Sequence, residues 1–130
     1  MKFLRSFKYA IEGFLHCVKS ERNFRAHLIA TIVVISLAAM LELSAFEIVA
    51  LAFAIALVLI CEMINTAIER TIDAVKECCE NDTPHLDGLR KTAKDVAAGA
   101  VFISAIFATI VGGVILIPAF ISTIRIFFNF

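Results

Sequence analysis

The stretch Cys61-Glu62-Met63-Ile64-Asn65-Thr66-Ala67-Ile68-Glu69 decides how this chain folds. It closes an apolar run, residues 48–61, in which no residue is charged. Ionisable side chains at the end of such a run are costly in a membrane, and for that reason they are functional by default. If the stretch is helical, its two carboxylates are about 10 Å apart along the axis at 1.5 Å per residue, which suits two different tasks. Spacings of three, four and seven residues place these polar side chains on one helix face: Glu62, Asn65, Thr66 and Glu69, with Asp73 one turn further.

The composition indicates an integral membrane protein. Of the 130 residues, 61% are hydrophobic and 18% are charged, and the mean hydropathy is +0.92. Soluble domains carry roughly 25% charged residues, so the composition disfavours a water-soluble domain. A chain of this length is expected to form a single domain, here residues 1–130. The net charge is zero, and no nucleic-acid partner is expected.

The hydropathy pattern predicts an all-α membrane protein with four helical segments. Residues 1–22 place apolar residues, many of them aromatic, at spacings of three and four between basic residues, which is typical of an amphipathic helix in the membrane interface. Three transmembrane helices are predicted over residues 24–43, 47–80 and 89–120. The second is longer than the roughly 20 residues that cross a bilayer, so its polar end extends beyond the lipid. The aromatic tail, residues 121–130, is expected at the far interface.

Loop-forming residues predict the connections between these segments. Residues 42–47 form a tight connection that makes the first two spans antiparallel neighbours. Residues 81–88 contain Asn, Asp, Pro and Gly and form the clearest loop. Pro118 is expected to end or kink the third span.

Cysteine and histidine residues do not indicate a metal site. The four cysteines lack the spacing of metal ligands and are expected to be free thiols. The three histidines are expected to be interfacial or loop residues rather than ligands: His16, His27 and His85.

The basic residues predict the topology. Six of the twelve lysines and arginines precede the apolar part of the first span, five lie between the second and third spans, and only Arg125 lies on the other side. Because cytoplasmic segments are enriched in basic residues, we expect the N-terminus and the connection after the second span to be cytoplasmic. The extension of the second span is then cytoplasmic too, and the protein is expected in the cytoplasmic (inner) membrane of the cell.

Polar side chains from three parts of the chain are expected to meet at the cytoplasmic boundary of the membrane. Carboxylates and an amide suit a hard cation such as Mg²⁺, a lysine can bind phosphate, and a carboxylate near the lipid can accept a proton from a lipid hydroxyl. The grouping indicates phosphoryl transfer to a membrane lipid. A small oligomeric cation channel or transporter would also place acids and amides at one level, and a non-catalytic membrane scaffold is a third interpretation. The side chains are Glu21, Asn23, Arg25, Glu62, Asn65, Glu69, Lys94 and Asp95.

Three motifs carry a family resemblance. They read Glu21-x-Asn23-Phe24-Arg25-x-His27, Glu62-x-x-Asn65-Thr66-Ala67-Ile68-Glu69 and Ala93-Lys94-Asp95-x-Ala97-Ala98-Gly99-Ala100-Val101. Together with the length and the three spans, they make nearly the whole chain similar to the prokaryotic diacylglycerol kinase / undecaprenol kinase family of membrane lipid kinases. The resemblance implies a homotrimer of three-span protomers whose active sites are shared between subunits, with ATP and Mg²⁺ as cofactors.

The resemblance also implies roles for individual residues. Glu62 is the expected general base on the lipid hydroxyl, and Glu21 and Glu69 are the expected ligands of the Mg²⁺ bound to ATP. Asn23 and Arg25 are expected near the lipid substrate, together with Glu62. The remaining nucleotide contacts are expected from Tyr9, within Phe7-Lys8-Tyr9-Ala10-x-x-Gly13, and from Asn65, Lys94 and Asp95.

The identity of the lipid alcohol is less sharply indicated than the reaction. The first and third motifs look more like the undecaprenol kinase branch of the family, so undecaprenol is the expected substrate and undecaprenyl phosphate the product. Diacylglycerol, giving phosphatidic acid, is the alternative. The connection over residues 82–90 is a residue or two longer than in the compact family form, which leaves its nucleotide contacts open.

Overall fold

The computed structural model describes residues 2–78 and 83–128. Within these residues, all regular secondary structure is α-helical. The last three helices are long and apolar enough to cross a membrane. The predicted all-helical architecture is therefore confirmed, with three helices that could span a membrane. In chain order the helices are α1 Lys2–Ser20, α2 Arg22–Met40, α3 Ala45–Cys78 and α4 Pro84–Phe128.

The lengths of the helices determine where polar side chains lie relative to a bilayer. α3 has 34 residues and α4 has 45, so at 1.5 Å per residue they are about 51 and 68 Å long. α2 has 19 residues and is about 28 Å long. Because the hydrocarbon core is about 30 Å thick, α2 matches it, whereas α3 and α4 extend beyond it. Glu62 lies about 26 Å along α3 from Ala45, near the edge of such a core.

Both long helices begin at well-formed caps. Ser44 precedes α3, and its hydroxyl and backbone N–H both donate to Oε2 of Glu47, at 2.6 and 2.7 Å. The N–H of Glu47 points back to the Ser44 hydroxyl at 3.4 Å, which completes a capping box. Thr83 plays the corresponding part for α4, since its hydroxyl accepts from the N–H of Leu86 at 3.4 Å. These caps satisfy N–H groups that have no partner within the helix.

The start of α4 differs from the prediction. α4 begins at Pro84, five residues before the predicted start at 89, so most of the loop expected over residues 81–88 is helical. Thr83 and Pro84 suggested a loop in the sequence, but a threonine cap followed by proline at the first helical position is also a favourable helix start.

The helix ends differ as well. Pro118 lies inside α4, which continues to Phe128, so the predicted tail is helical as far as it is described. Proline is tolerated in membrane helices because the freed carbonyl group can find other partners. α2 ends at Met40 instead of 43, where the backbone of Leu41 becomes extended. Residues 79–80 of the predicted second span, 81–82 of the loop and 129–130 of the tail lie outside the described residues.

α3 is the central helix of the described structure, and it packs mainly against α4. Its buried residues follow the helical period and lead directly from the apolar half into the polar stretch: Leu51, Ala54, Val58, Glu62 and Thr66. At the same end of the molecule, Phe24 on α2 is completely buried and packs edge-to-face against Phe14 of α1, with ring centroids 5.3 Å apart. Phe24 therefore anchors the first turn of α2 next to α1.

We expect Phe24→Ala to lower the free energy of unfolding by about 3 kcal/mol, because a fully buried aromatic ring leaves a cavity when it is removed. Phe102→Ala is the matched control, since Phe102 on α4 is 68% exposed and should change stability little. Unfolding by SDS titration in detergent micelles measures both variants. Equal losses for the two would contradict the anchoring role of Phe24.

Candidate functional site

The carboxylate of Glu62 is the most buried ionisable group on the polar half of α3. The residue is 3% exposed, although most of its neighbours along the polar half of the helix are partly or fully exposed. Thr66, one turn later, uses its hydroxyl to donate to the backbone carbonyl of Glu62 at 3.0 Å. The threonine hydroxyl is therefore satisfied by the helix backbone and leaves the carboxylate to other partners.

His27 is the side chain that faces this carboxylate. Its Nε2 lies 3.3 Å from Oε1 of Glu62 and bridges α2 to α3. The contact lacks the geometry of a hydrogen bond, so within the described residues Oε1 is buried without a donor. An unsatisfied buried carboxylate oxygen is energetically unfavourable, and such an oxygen is ready to accept a proton or a hydrogen bond.

Glu21 occupies the junction between α1 and α2, where its extended backbone interrupts the helix. Its Oε1 accepts hydrogen bonds from the Ser20 hydroxyl and from the Arg70 guanidinium of α3, both at 2.9 Å. These contacts, the Ser20 hydrogen bond first and Arg70 next, lower the pKa of Glu21 below its usual value despite partial burial. Arg25 stabilises the same junction, because it donates to the backbone carbonyls of Val18 and Lys19 at the end of α1.

Asn65 and Glu69 form a pair on a partly exposed side of α3. The Asn65 amide donates to Oε1 of Glu69 at 3.0 Å, while Oδ1 of Asn65 is buried without a donor in the described structure. An amide oxygen without a donor beside a carboxylate is the type of oxygen ligand that Mg²⁺ prefers. Among the residues that the structure describes, no group of three or more His, Cys, Asp and Glu side chains could hold a metal ion. Glu69 and Asn65 can therefore supply part of a Mg²⁺ site, to which water or phosphate oxygens would have to add.

Lys94 joins α4 to this polar half of α3. Its ammonium group lies 2.5 Å from Oδ1 of Asp73, which is about three helical turns beyond Glu62. One turn earlier on α4, Arg90 is buried and lies 3.4 Å from Asp87, which also lies 3.8 Å from Lys76. The basic start of α4 is thus linked to α3 by two sets of charges.

The structure brings some of the predicted site residues together and leaves others apart. Glu21, Glu62, Asn65, Glu69 and Lys94 all lie on or directly against the polar half of α3. The other four residues are exposed and are not joined to that surface by a hydrogen bond or an ion pair within residues 2–78 and 83–128: Tyr9, Asn23, Arg25 and Asp95. Of these, Arg25 donates hydrogen bonds to the end of α1.

Two residues at the site were not predicted from the sequence. His27 was expected to be an interfacial residue, and its contact with Glu62 was not predicted. The available signal was its position three residues after Phe24, which places both on the buried face of α2. Arg70 is one of the basic residues that predict the topology, and its pairing with Glu21 was not predicted. It directly follows Glu69 in the sequence.

An apolar cleft of about 340 Å³ begins beside His27 and runs between α2, α3 and α4. Val58, one turn before Glu62, and Ala54 form part of its floor, and Ala105 and Gly112 line it from α4. The hydroxyl groups along it are bonded to helix carbonyls, as for Thr31, which donates to His27 O at 2.8 Å. The cleft therefore presents an apolar surface that ends next to a buried carboxylate.

Comparison with known proteins gives a consistent result. The sequence profile described as prokaryotic diacylglycerol kinase matches residues 8–116. A diacylglycerol kinase of Synechocystis is 40% identical over 119 residues, which cover 92% of this chain and 65% of that protein. The undecaprenol kinase of Bacillus subtilis is 36% identical over 117 residues, 90% of this chain and 89% of that protein.

A diacylglycerol kinase of Pseudomonas aeruginosa is 30% identical over 116 residues, which cover 89% of each protein. This chain thus spans 65% of the length of the Synechocystis relative and nearly nine tenths of the other two. The names of these relatives include two different lipid alcohols, diacylglycerol and undecaprenol.

We expect the pKa of Glu21 to rise towards its usual value in Ser20→Ala and in Arg70→Gln, because each variant removes a donor to the carboxylate. Since the pKa is lowered in the folded protein, the contribution of Glu21 to stability is present above the unfolded pKa and is lost as the pH falls through the folded pKa. Carbon-detected NMR titration of labelled glutamate in micelles measures the shift, with Arg22→Gln as the control. A Glu21 pKa that moves in neither Ser20→Ala nor Arg70→Gln would contradict the observed contacts.

Proposed function

Because the chain belongs to the prokaryotic diacylglycerol kinase family, we propose that it transfers the γ-phosphate of ATP to the hydroxyl group of a membrane lipid alcohol. The observation that carries this proposal is the carboxylate of Glu62, which is buried, lacks a hydrogen-bond donor on Oε1 and lies at the end of an apolar cleft. A lipid whose hydrocarbon part occupies apolar surroundings can there present its hydroxyl to a base. A multi-pass membrane protein with three spanning helices suits such a substrate.

Glu62 acts as the general base in this proposal. As the lipid O–H bond breaks, the carboxylate takes the proton and the hydroxyl oxygen bonds to the γ-phosphorus of ATP. The bond from that phosphorus to the bridging oxygen breaks, and ADP leaves with the electron pair. A base in apolar surroundings is favoured for this step, because its charge is poorly solvated before the proton arrives.

The nucleotide side of the site is assigned to the more exposed part of α3. Glu69 and Glu21 are the proposed ligands of the Mg²⁺ that accompanies ATP, with Asn65 beside them. Mg²⁺ supplies charge neutralisation on the β- and γ-phosphates when it is bound. Lys94, Asp95 and Tyr9 are proposed to contact the nucleotide, and the pairing of Lys94 with Asp73 keeps the lysine close to this face.

The arrangement in the membrane is part of the proposal. α1 is proposed to lie in the interface as an amphipathic helix, with the polar half of α3 and the start of α4 on the cytoplasmic side of the inner membrane. Three protomers are proposed to form a homotrimer that completes each site, which gives the exposed Asn23, Arg25 and Asp95 surroundings that a single protomer does not provide. The whole chain is then one lipid-kinase domain.

Undecaprenol is the proposed physiological substrate, with diacylglycerol as the alternative. The first and third motifs favour undecaprenol, whereas the relatives carry both names. Purified protein should be assayed in nanodiscs with ATP and either lipid at equal mole fraction. Faster turnover of undecaprenol is expected, and equal or faster turnover of diacylglycerol would reverse the assignment. Ion flux through liposomes without any ATP turnover would favour a cation transporter instead.

Glu62→Gln should reduce lipid phosphorylation by about 10²- to 10⁴-fold, the range typical of general-base catalysis, because an amide cannot accept the hydroxyl proton. Thermal unfolding and the oligomeric state should remain those of the wild type. The control is Glu42→Gln, in the exposed connection between α2 and α3, which should retain activity. Undiminished phosphorylation by Glu62→Gln would exclude Glu62 as the base.

Glu69→Gln should raise the Mg²⁺ concentration needed for half-maximal activity by about tenfold, which corresponds to about 1.4 kcal/mol, because one anionic oxygen ligand is lost. The matched control is Glu77→Gln, an exposed glutamate further along α3. Activity measured across a Mg²⁺ titration at saturating ATP tests both variants. A titration curve that superimposes on the wild type would argue against Glu69 as a metal ligand.

A further inference from the structure

His27 is the only ionisable side chain that the described residues place in contact with the carboxylate of Glu62. Its side chain is 28% exposed, whereas that of Glu62 is 4% exposed, so the histidine stands between the buried carboxylate and the surroundings. The two residues belong to different helices. Their contact therefore fixes how α2 and α3 meet at the level of the proposed base.

We propose that His27 is a positioning residue for Glu62, an inference that rests on the proposed lipid-kinase function. A small rotation of the imidazole turns the 3.3 Å contact into a hydrogen bond in which Nε2–H donates to Oε1 of Glu62. The carboxylate is then held in one orientation, and Oε2 is left to receive the proton of the lipid hydroxyl. His27 acts through Glu62 and does not itself contact the reacting atoms.

The surroundings of His27 support this role. Phe24, one turn earlier on the same face of α2, is completely buried and packs against Phe14 of α1, which anchors this turn of α2. The imidazole also lines the apolar cleft, so it connects the end of the cleft to the carboxylate. A histidine that merely filled space would not need to point a ring nitrogen at the one buried carboxylate of the described residues.

The consequence of losing this contact is a carboxylate that samples several orientations. Misplacement of a catalytic group by about 1 Å can lower a rate by about 10²-fold. We therefore expect His27→Ala to lower kcat for lipid phosphorylation by about 10- to 100-fold. The KM for Mg·ATP should stay within about twofold, because the contacts assigned to the nucleotide lie elsewhere on α3 and α4.

Two amide variants separate positioning from packing. The side-chain nitrogen of glutamine can reach the position of Nε2, whereas that of asparagine reaches only the position of Nδ1. The proposal expects His27→Gln to retain activity within a few-fold and His27→Asn to resemble His27→Ala. His85→Gln, at the exposed start of α4, is the histidine control and should match the wild type. Thermal unfolding of every variant shows whether the protein remains folded.

A double variant tests whether His27 acts through Glu62. In a Glu62→Asp background the shortened carboxylate no longer reaches the imidazole, so His27→Ala should cause little further loss of kcat. Full additivity of the two losses would overturn the positioning role, and so would equal kcat values for His27→Gln and His27→Asn. Absence of lipid phosphorylation by the wild-type chain would instead overturn the proposed function, and this inference with it.

Discussion

The energetic cost of a buried carboxylate governs the arrangement of this protein. Glu62 is almost fully removed from solvent, in a helix whose preceding residues are suited to lipid, and charge in such surroundings is strongly disfavoured without a partner. Each other element contributes to the polar surface around it. α2 supplies His27, the α1–α2 junction supplies Glu21, and α4 supplies Lys94 opposite Asp73. The site is therefore assembled from the contacts that α2, the α1–α2 junction and α4 make with α3, and it exists only when the helices are packed together.

This arrangement separates two chemical environments along one helix. The surroundings of Glu62 are apolar and exclude solvent. A proton-accepting group needs such surroundings if it is to discriminate a lipid hydroxyl from water. Glu69, two turns later, is half-buried and hydrogen-bonded by Asn65, which suits a hydrated cation and a soluble nucleotide. The helix provides the separation without any special loop. Its regular rise alone places Glu62 and Glu69 at a fixed distance from each other, as the proposed transfer from a soluble nucleotide to a membrane lipid requires.

The spacing of polar and apolar residues predicted the helical faces and the number of spans, because both depend on neighbouring residues in the sequence. The spacing from Glu62 to Glu69 placed their side chains on one face of α3, and the lengths of the apolar runs gave three spans. The start of α4 was missed because threonine followed by proline is compatible with both a loop and a helix cap, and the choice between them depends on the residues after the proline. The partner of Glu62 was missed for a different reason. Which residue of α2 faces α3 depends on the crossing and register of two helices, and neither is encoded in a single helical pattern.

The continuous α3 helix also sets a fixed distance between its two ends. From its cap at Ser44 to Glu62 it contains no break, so the distance from Ser44 to the carboxylate along the helix axis is fixed by the protein and not by the lipid. The hydroxyl of a lipid alcohol, in contrast, follows the surface of the bilayer. When the hydrocarbon thickness changes, a rigid helix must tilt or deform the surrounding lipid to keep the two in line. Under the proposed function, the rate of lipid phosphorylation is thereby coupled to membrane thickness, and through it to the lipid composition of the membrane.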